Sequence, residues 1–310
     1  MHFSIYLPIA KNAVNLFVLV GLGGLVGFLS GLFGVGGGFL LTPILIMIGI
    51  PPTVAAASDS AQIVAASTSG TYAHARAGTV DFKMGILLLL GGVGGGTVGV
   101  WLIKLLRQLG EANFLITVTY VVMLGGIGTY MFFESLGGLR GKQHAPPADA
   151  PPPRPSIYAR MVRALPFKTR FPRSNVSLSL LLPLLLGILV GVLAAIMGVG
   201  GGFIMVPVMV YLLRMPMHVV VGTSLFQILF TCINVTLLQS YVNHTVDVVL
   251  ALLLLIGSVI GVQVGAKVGK RLKADQLKIL MAIIVLVVAG KMLLGLLLQP
   301  DILLSYKGGH

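Results

Sequence analysis

The chain contains little charge and almost no cysteine. Only 9% of its 310 residues are charged, whereas 56% are hydrophobic, and the mean hydropathy is +1.01. Soluble domains carry about 25% charged residues, so this composition excludes that class. The single cysteine, Cys232, excludes an internal disulfide and any metal site built from several cysteines. We predict neither a metal nor a cofactor.

Motifs for ATP-driven or catalytic chemistry are also missing. No GxxxxGK[ST] loop is present, so ATP-driven transport would need another subunit. The nearest pairing of a nucleophile with a base is Ser69 with His74, and His74 belongs to a polar turn. We therefore predict that the protein is not an enzyme, and an intramembrane enzyme is the most distant alternative.

The net charge of +13 is concentrated in one segment. Eight of the 21 Lys and Arg residues lie between Gly137 and Asn175, where Asp149 is the only acid. Cytoplasmic loops of membrane proteins collect Lys and Arg in this way, next to anionic lipid. The charge thus indicates membrane topology, and we expect a lipid bilayer as partner and no nucleic acid.

Long apolar runs are abundant. Four of them approach the ~20 residues needed to cross a hydrocarbon core of ~30 Å: Met84–Ile103, Phe114–Phe133, Leu178–Met197 and Ile279–Leu298. The sequence predicts an all-α polytopic membrane protein, placed as a multi-pass protein in the cytoplasmic (inner) membrane.

Two nearly identical glycine motifs interrupt these runs. Gly34–Pro43 reads GVGGGFLLTP and Gly198–Pro207 reads GVGGGFIMVP, with seven of ten positions matching at an offset of 164. Each glycine costs roughly 1 kcal/mol of helix propensity relative to Ala, so three in a row should break a helix. Broken helices persist in membranes only where they are buried in protein or line a cavity, and the motifs therefore predict a binding site.

The similarity extends beyond the motifs. Thr79-Val80-Asp81 recurs as Thr245-Val246-Asp247, and Gly91, Gly95 and Gly99 recur as Gly257, Gly261 and Gly265. We interpret this as a duplication with five helical segments per copy. The predicted organisation is a first membrane repeat over 1–136, a basic Pro-rich cytoplasmic linker over 137–175 and a second membrane repeat over 176–310.

Charge predicts that the repeats are inverted. The turn Lys267–Lys278 carries five basic residues, whereas its counterpart Lys104–Asn113 carries two. If basic turns are cytoplasmic, equivalent turns lie on opposite sides, as an inverted repeat with an odd number of segments requires. Both termini would then lie outside and the linker inside. The 11 or 12 residues after each motif are too few to cross, so they form a half-helix or a re-entrant arm.

The paired GVGGGF…P signature, each copy followed by a short arm, a hydroxyl-rich helix and a glycine-spaced helix, resembles the sulfite exporter TauE/SafE family of membrane permeases. The resemblance covers residues 21–106 and 187–298. It implies transport of sulfite, sulfonates or related small organic anions. The copies differ where Asp59 stands in the first and Ser224 in the second.

A small anion needs desolvated donors, which exposed glycine amides and nearby hydroxyl and amide side chains can supply. The predicted substrate-binding residues are Gly36, Gly37, Gly38, Gly200, Gly201, Gly202, Ser58, Ser60, Gln62, Thr223, Ser224 and Gln227. The alternative is structural, since glycines pack helices together and Ser or Thr side chains bond to their own helix.

Asp59 is the acid predicted deepest in the membrane, and it is the candidate coupling residue. Asp81 and Asp247 precede apolar helices, so we predict that they are N-caps. The leading hypothesis is a secondary carrier for small sulfur-containing anions that works by alternating access, with proton coupling as a possible mode; the alternative is an anion channel. The sequence carries no indication of the oligomeric state.

Overall fold

The structure of the chain is a computed structural model that describes residues 4–33, 38–139, 168–171, 173–174, 176–213, 215–269 and 274–298. The elements described before residue 140 are the strands β1 (Ser4–Leu7) and β2 (Asn12–Asn15) and the helices α1 (Leu16–Phe33), α2 (Gly38–Met47), α3 (Pro52–Arg76), α4 (Phe82–Gln108) and α5 (Ala112–Leu139).

The second part of the chain contains the same order of elements. They are β3 (Lys168–Phe171), β4 (Val176–Ser179), α6 (Leu181–Met197), α7 (Gly202–Pro207) with a π-helical turn (Val208–Leu212), α8 (Met217–Leu238) with a π-helical turn (Gln239–Asn243), α9 (Val248–Gly269) and α10 (Ala274–Leu298). Each set opens with an antiparallel hairpin, β1 with β2 and β3 with β4.

Five helical segments within the described residues are long and apolar enough to cross a membrane. They are Phe82–Gln108, Ala112–Glu134, Val219–Asn243, Val248–Gly265 and Ile279–Leu298. Helix α3 has 25 residues but is too polar to count among them. The prediction of a mainly helical membrane protein is confirmed. The two short hairpins were not predicted, and most of the proposed linker, 137–175, lies outside the described residues.

Helices from different halves of the chain pack backbone to backbone. Along the contact of α1 with α9, a Cβ on Gly23 would overlap the carbonyl oxygen of Leu254, and one on Gly27 would overlap that of Ser258. Lipid gives helices no hydrophobic reason to associate, so close van der Waals packing at small residues holds such pairs together. From one contact to the next, the residue numbers increase along both helices, and the two helices are therefore parallel.

Helices α4 and α6 form the equivalent contact. A Cβ on Gly91 would overlap the carbonyl oxygen of Leu184, and one on Gly95 would overlap that of Ile188. These helices are also parallel. The fourth helix of each half thus packs against the first helix of the other half, and the remaining pairs are α3 with α8 and α5 with α10.

Two aspartates connect the halves at opposite ends of the molecule. Asp81 caps α4 by accepting from the amide of Met84 (3.1 Å), while its own amide donates to Thr223 Oγ1 on α8 (3.0 Å). Asp247 caps α9 through the amide of Leu250 (3.1 Å), and its amide donates to Ser58 Oγ on α3 (3.0 Å). The N-cap predictions are confirmed, and the bonds across the halves were not foreseen.

The tip of each hairpin is held by the same aspartates. Asp247 Oδ2 accepts from the amide of Ile9 (3.1 Å) in the first hairpin, and Asp81 Oδ2 accepts from the amide of Ser174 (3.1 Å) in the second. We call the end of the molecule at Asp247 the first end and the end at Asp81 the second end. Each end is therefore closed by elements from both halves.

The short helix α2 returns to the end where α1 begins. Asn12, just before α1, donates its side-chain amide to the carbonyl oxygen of Gly49, just after α2, at 3.4 Å. Helix α1 is 18 residues long and α2 only 10, which corresponds to about 27 and 15 Å at 1.5 Å per residue. The start of α1 and the end of α2 therefore lie close together.

Candidate functional site

The backbone leaves helical geometry at the second glycine motif. Helix α6 ends at Met197, and Gly198, Gly200 and Gly201 have φ values of +72°, +66° and +78°. Residues with a Cβ seldom adopt this left-handed region, so the conformation requires glycine. Gly202 then begins α7. Three of the glycines thus let the chain turn within a buried segment.

The first motif is described only in part. Helix α1 ends at Phe33 and α2 begins at Gly38, which is buried. The predicted donors Gly36 and Gly37 lie outside the described residues.

The two motifs approach each other through equivalent residues. The rings of Phe39 and Phe203 stack with centroids 4.5 Å apart and an interplanar angle of 11°. Ile63 on α3 lies against both motifs: a Cβ on Gly38 would overlap its Cδ1 atom, and one on Gly200 would lie 3.4 Å from its Cγ2 atom. The ends of both broken helices therefore share one buried centre.

Several carbonyl groups at the second break have donors, whereas those of Ile196, Val199 and Gly200 have none among the described residues. Met197 O accepts from the hydroxyl of Tyr120, and Gly198 O accepts from Ser60 Oγ at 3.1 Å. The carbonyls of Ala194, Ala195 and Gly201 accept as well, from Gly198 N, Gln239 Nε2 and the amides of Ile204 and Met205 respectively. Helix α6 therefore ends with most of its acceptors satisfied by protein groups.

Amide groups at the same break lack acceptors. Within the described part of the chain, the N–H groups of Val199, Gly200 and Gly201 donate to no protein atom, and all three residues are buried. Buried amides without partners are uncommon in proteins because each forfeits its hydrogen bond to water. Unsatisfied backbone donors that converge in a turn are suited to an anion.

The walls beside these amides are apolar. A Cβ on Gly200 would lie 2.5 Å from Cys232 Sγ and 2.7 Å from Ile228 Cγ2, both on α8. Cys232 is fully buried. The turn thus presents its donors in a dry environment, where hydrogen bonds to a charge are strong.

Asp59 lies next to the first motif. Its side chain is fully buried, Oδ2 accepts from Thr42 Oγ1 on α2 at 2.7 Å, and Oδ1 has no hydrogen-bond partner. A Cβ on Gly38 would lie 3.3 Å from Oδ2. The carboxyl therefore sits at the N-terminal end of α2, where a helix dipole favours negative charge.

The other predicted donors lie around this centre with protein partners of their own. Ser58 and Thr223 bond the amides of Asp247 and Asp81, and Ser60 holds the Gly198 carbonyl. Ser224 donates to Val221 O of its own helix at 3.0 Å. Their use by a substrate remains a prediction.

The two glutamines occupy equivalent places with different neighbours. Gln62 donates to Ser258 Oγ on α9 at 2.5 Å. Gln227 faces Gly92 on α4, donates to Thr231 Oγ1 of its own helix at 2.8 Å, and leaves Oε1 without a partner. Gly92 leaves space beside Gln227 in one place, whereas Ser258 supplies a hydroxyl to Gln62 in the equivalent place.

Thr42, Tyr120 and the stacked phenylalanines were missed by sequence reasoning. Thr42 is 17 residues from Asp59, and Tyr120 is 77 residues from Met197, so no helical spacing links these pairs. The recurrence of Phe39 as Phe203 within the motif was the one available signal.

The architecture is that of a polytopic helical membrane protein with two short helices that meet at a buried polar centre, as in membrane transporters. The family model described as "Sulfite exporter TauE/SafE" matches residues 19–292. The chain belongs to this family, and the resemblance drawn from the glycine motifs is confirmed. No solved structure matches the chain.

Curated relatives carry transporter names. A probable membrane transporter protein of Bacillus subtilis, YunE, is 25% identical over 289 residues, covering 89% of this chain and 96% of the relative. A probable membrane transporter protein of Xylella fastidiosa strain Temecula1 is 28% identical over 269 residues, covering 84% of this chain and 88% of the relative. An Arabidopsis thaliana relative named "Sulfite exporter TauE/SafE family protein 1" is 31% identical over 100 residues, covering 32% of this chain and 22% of that protein. The names of these relatives thus indicate a membrane transporter.

Proposed function

We propose that the protein is a secondary transporter that moves small sulfur-containing anions, such as sulfite or sulfonates, across the cytoplasmic membrane. The observation that carries this proposal is the second break, where the buried amides of Val199, Gly200 and Gly201 donate to no protein atom among the described residues. An oxyanion offers acceptors in several directions and matches such a turn.

Contacts between helices support an inverted arrangement of the two halves. Ser58 on α3 lies at the first end and Thr223 on α8 at the second, so these equivalent helices begin at opposite ends. Helix α4 begins at the second end and its counterpart α9 at the first. The halves are then related by an axis in the membrane plane.

Basic residues orient this arrangement. Lys83 at the start of α4 and Lys267 in the last turn of α9 both lie toward the second end. The chain leaves α5 toward the same end, where the Lys- and Arg-rich segment 140–167 follows. The positive-inside rule then places the second end in the cytoplasm.

Helix packing suggests which parts move. Hydrogen bonds and glycine contacts connect α1, α2, α3 and α9 into a first bundle, and α4, α6, α7 and α8 into a second bundle. The bundles meet along α3 and α8, at the stacked phenylalanines and at Ser60 with Gly198. Alternating access would be a rocking of the two bundles against each other. The first bundle includes α9 from the second half of the sequence, and the second bundle includes α4 from the first half.

Asp59 provides a route to proton coupling. Its Oδ1 atom has no partner to displace and can carry a proton. An anion near Asp59 is repelled by a carboxylate and is not repelled by a neutral carboxyl group. The proton and the anion would then be bound to the protein at the same time and would cross the membrane together.

Counterflow in liposomes tests the carrier. Purified protein in vesicles loaded with unlabelled sulfite should accumulate external labelled sulfite transiently, which an anion channel cannot do. Gly201→Ala is the test variant, because its φ of +78° and a Cβ 2.5 Å from Val190 Cγ1 are incompatible with a side chain. Gly94→Ala is the control, since a Cβ there meets nothing within 4 Å. Loss of counterflow only in Gly201→Ala supports the proposal, and absence of counterflow from the wild type overturns it.

A further inference from the structure

The hydroxyl group of Thr42 on α2 bonds to another helix and not to its own. A threonine in a helix can always reach the carbonyl oxygen four residues earlier, and this bond within the helix is common. Four threonines of the described helices make it, at 2.7–2.9 Å, and they are Thr68, Thr97, Thr117 and Thr119. Thr42 instead donates to Asp59 Oδ2 on α3 at 2.7 Å. Its side chain is therefore directed at the carboxyl group.

This bond makes the two oxygen atoms of the carboxyl group different. Oδ2 of Asp59 accepts from Thr42, whereas Oδ1 has no hydrogen-bond partner. Both side chains are fully buried. A hydrogen bond to a carboxylate is roughly twice as strong as one between neutral groups. The Thr42 hydroxyl thus occupies one oxygen and leaves the other to bind a proton.

Few other groups can influence the charge of Asp59. The titratable side chains within electrostatic range of it are Tyr120 on α5 and Cys232 on α8, and both are buried. The Tyr120 hydroxyl already donates to Met197 O. Within the described part of the chain, no Lys, Arg or His pairs with the carboxyl group. Among these residues, Thr42 is therefore the side chain that donates a hydrogen bond to Asp59.

We infer that Thr42 is the positioning residue of Asp59, and that it holds Oδ2 so that the proton is bound and released at Oδ1. This inference rests on the proposed function, in which Asp59 carries the coupling proton. The bond favours the ionised carboxyl group, because a donor binds a carboxylate more strongly than a neutral carboxyl. Helices α2 and α3 belong to the same bundle, so the bond persists while the bundles rock and acts on proton release toward either end.

Infrared difference spectroscopy of the purified full-length protein measures the protonation of Asp59 directly. The band of the protonated Asp59 carboxyl is the one that is absent from Asp59→Asn, and its intensity is followed against pH. Thr42→Val keeps the branched shape and removes the hydroxyl donor. The pH at which Asp59 is half-protonated should then rise by roughly one unit, because the ionised form loses the bond that favoured it. Thr42→Ser keeps a hydroxyl and should retain the wild-type midpoint.

Thr119→Val is the matched control. It loses the same hydroxyl, but from a bond to Leu115 O of its own helix, and should leave the midpoint unchanged. Thr42→Ala is a second variant without the donor, and it should show the same rise even where Thr42→Val does not fold. A midpoint in these Thr42 variants equal to that of the wild type, or an equal rise in Thr42→Ser or Thr119→Val, overturns the inference.

The titration needs no substrate, so its outcome is separate from that of the transport assays. An Asp59 carboxyl that does not change protonation over the whole pH range in which the wild type stays folded overturns the inference and proton coupling by Asp59, and leaves anion counterflow intact. A raised midpoint in Thr42→Val, with an unchanged pH dependence of gradient-driven sulfite uptake, supports Thr42 as the positioning residue and overturns Asp59 as the coupling residue.

Discussion

Phe39 stacks on Phe203, its counterpart in the other half of the chain, with ring centroids 4.5 Å apart. Each ring stands one residue after the glycine that begins its arm. Both side chains are buried and belong to different bundles. This contact joins the two arms at the centre of the protein, and any rocking of the bundles must slide or separate the rings.

Removal of either ring should weaken the contact between the arms. Phe39→Ala and Phe203→Ala should each destabilise the protein by about 3–5 kcal/mol. A double-mutant cycle should give a coupling of about 0.5–1.5 kcal/mol, because a stacked pair contributes more than its buried area. Unfolding in detergent, followed by circular dichroism, measures these terms. Strictly additive effects would show that the rings act independently.

The glycine face of α4 should tolerate a methyl group on one side only. Gly95→Ala should destabilise by about 1–3 kcal/mol, since its Cβ would overlap the carbonyl oxygen of Ile188 and force α6 away. The neighbouring Gly94→Ala is the matched control, because the space around it is open. Melting temperatures of the two variants provide the comparison. Similar melting temperatures would contradict the close contact of α4 with α6.

The hydroxyl bonds across the halves should contribute equally at the two ends. Ser58→Ala and Thr223→Val each leave a buried aspartate amide without an acceptor, which costs about 1–3 kcal/mol. The sites lie at opposite ends of the molecule, so the double variant should show the sum of the two losses. Chemical denaturation of the three variants tests this. A double variant no less stable than either single one would contradict independent contacts.

Much of this arrangement could be predicted from the sequence because it depends on local composition. Apolar runs gave helix positions close to those observed, since the run Met84–Ile103 lies within α4 and the run Ile279–Leu298 lies within α10. The left-handed turn at Gly198 and Gly200 follows from the conformational cost of three glycines. These features are determined by residues that are neighbours in the sequence.

Long-range partners could not be predicted. The bond between Thr42 and Asp59 and the satisfied carbonyl of Met197 depend on how helices far apart in sequence are placed. Serine and threonine have no spacing that distinguishes a hydroxyl bonding only its own helix, as Ser224 does, from one that also reaches a distant segment, as Ser60 does with Gly198. Packing decides between these partners.

Cross-linking should show whether the moving parts of the protein are the two bundles or the two halves of the sequence. In a Cys232→Ala background, Gly70→Cys with Leu225→Cys joins α3 to α8 between the bundles, where a Cβ on Gly70 lies 2.8 Å from Leu225 Cδ1. Bridging this pair with Hg²⁺ should abolish counterflow. Thr97→Cys with Asn234→Cys joins α4 to α8 within the second bundle, where the native side chains are 3.3 Å apart, and bridging should leave at least half the rate.

The reverse outcome would identify other moving parts. Thr97 and Asn234 belong to different halves of the sequence, so rocking of the halves as units would make their bridge inhibitory. Activity restored by excess thiol establishes that each effect comes from the bridge. Full counterflow with the Gly70 and Leu225 pair bridged would contradict movement along α3 and α8.

Asp59→Asn should separate the exchange of anions from the use of a proton gradient. The amide keeps the shape and can still accept from Thr42, so sulfite counterflow should persist. It can no longer bind and release a proton, so an imposed pH gradient should fail to drive net accumulation of labelled sulfite. Asp81→Asn is the control: its amide oxygen can still cap α4, but Ser174 loses its carboxylate acceptor, so the variant should lose about 1–3 kcal/mol of stability and keep gradient-driven uptake. Accumulation by Asp59→Asn at the wild-type level under the gradient would assign coupling to another group, whereas loss of counterflow as well would make Asp59 part of the anion site itself.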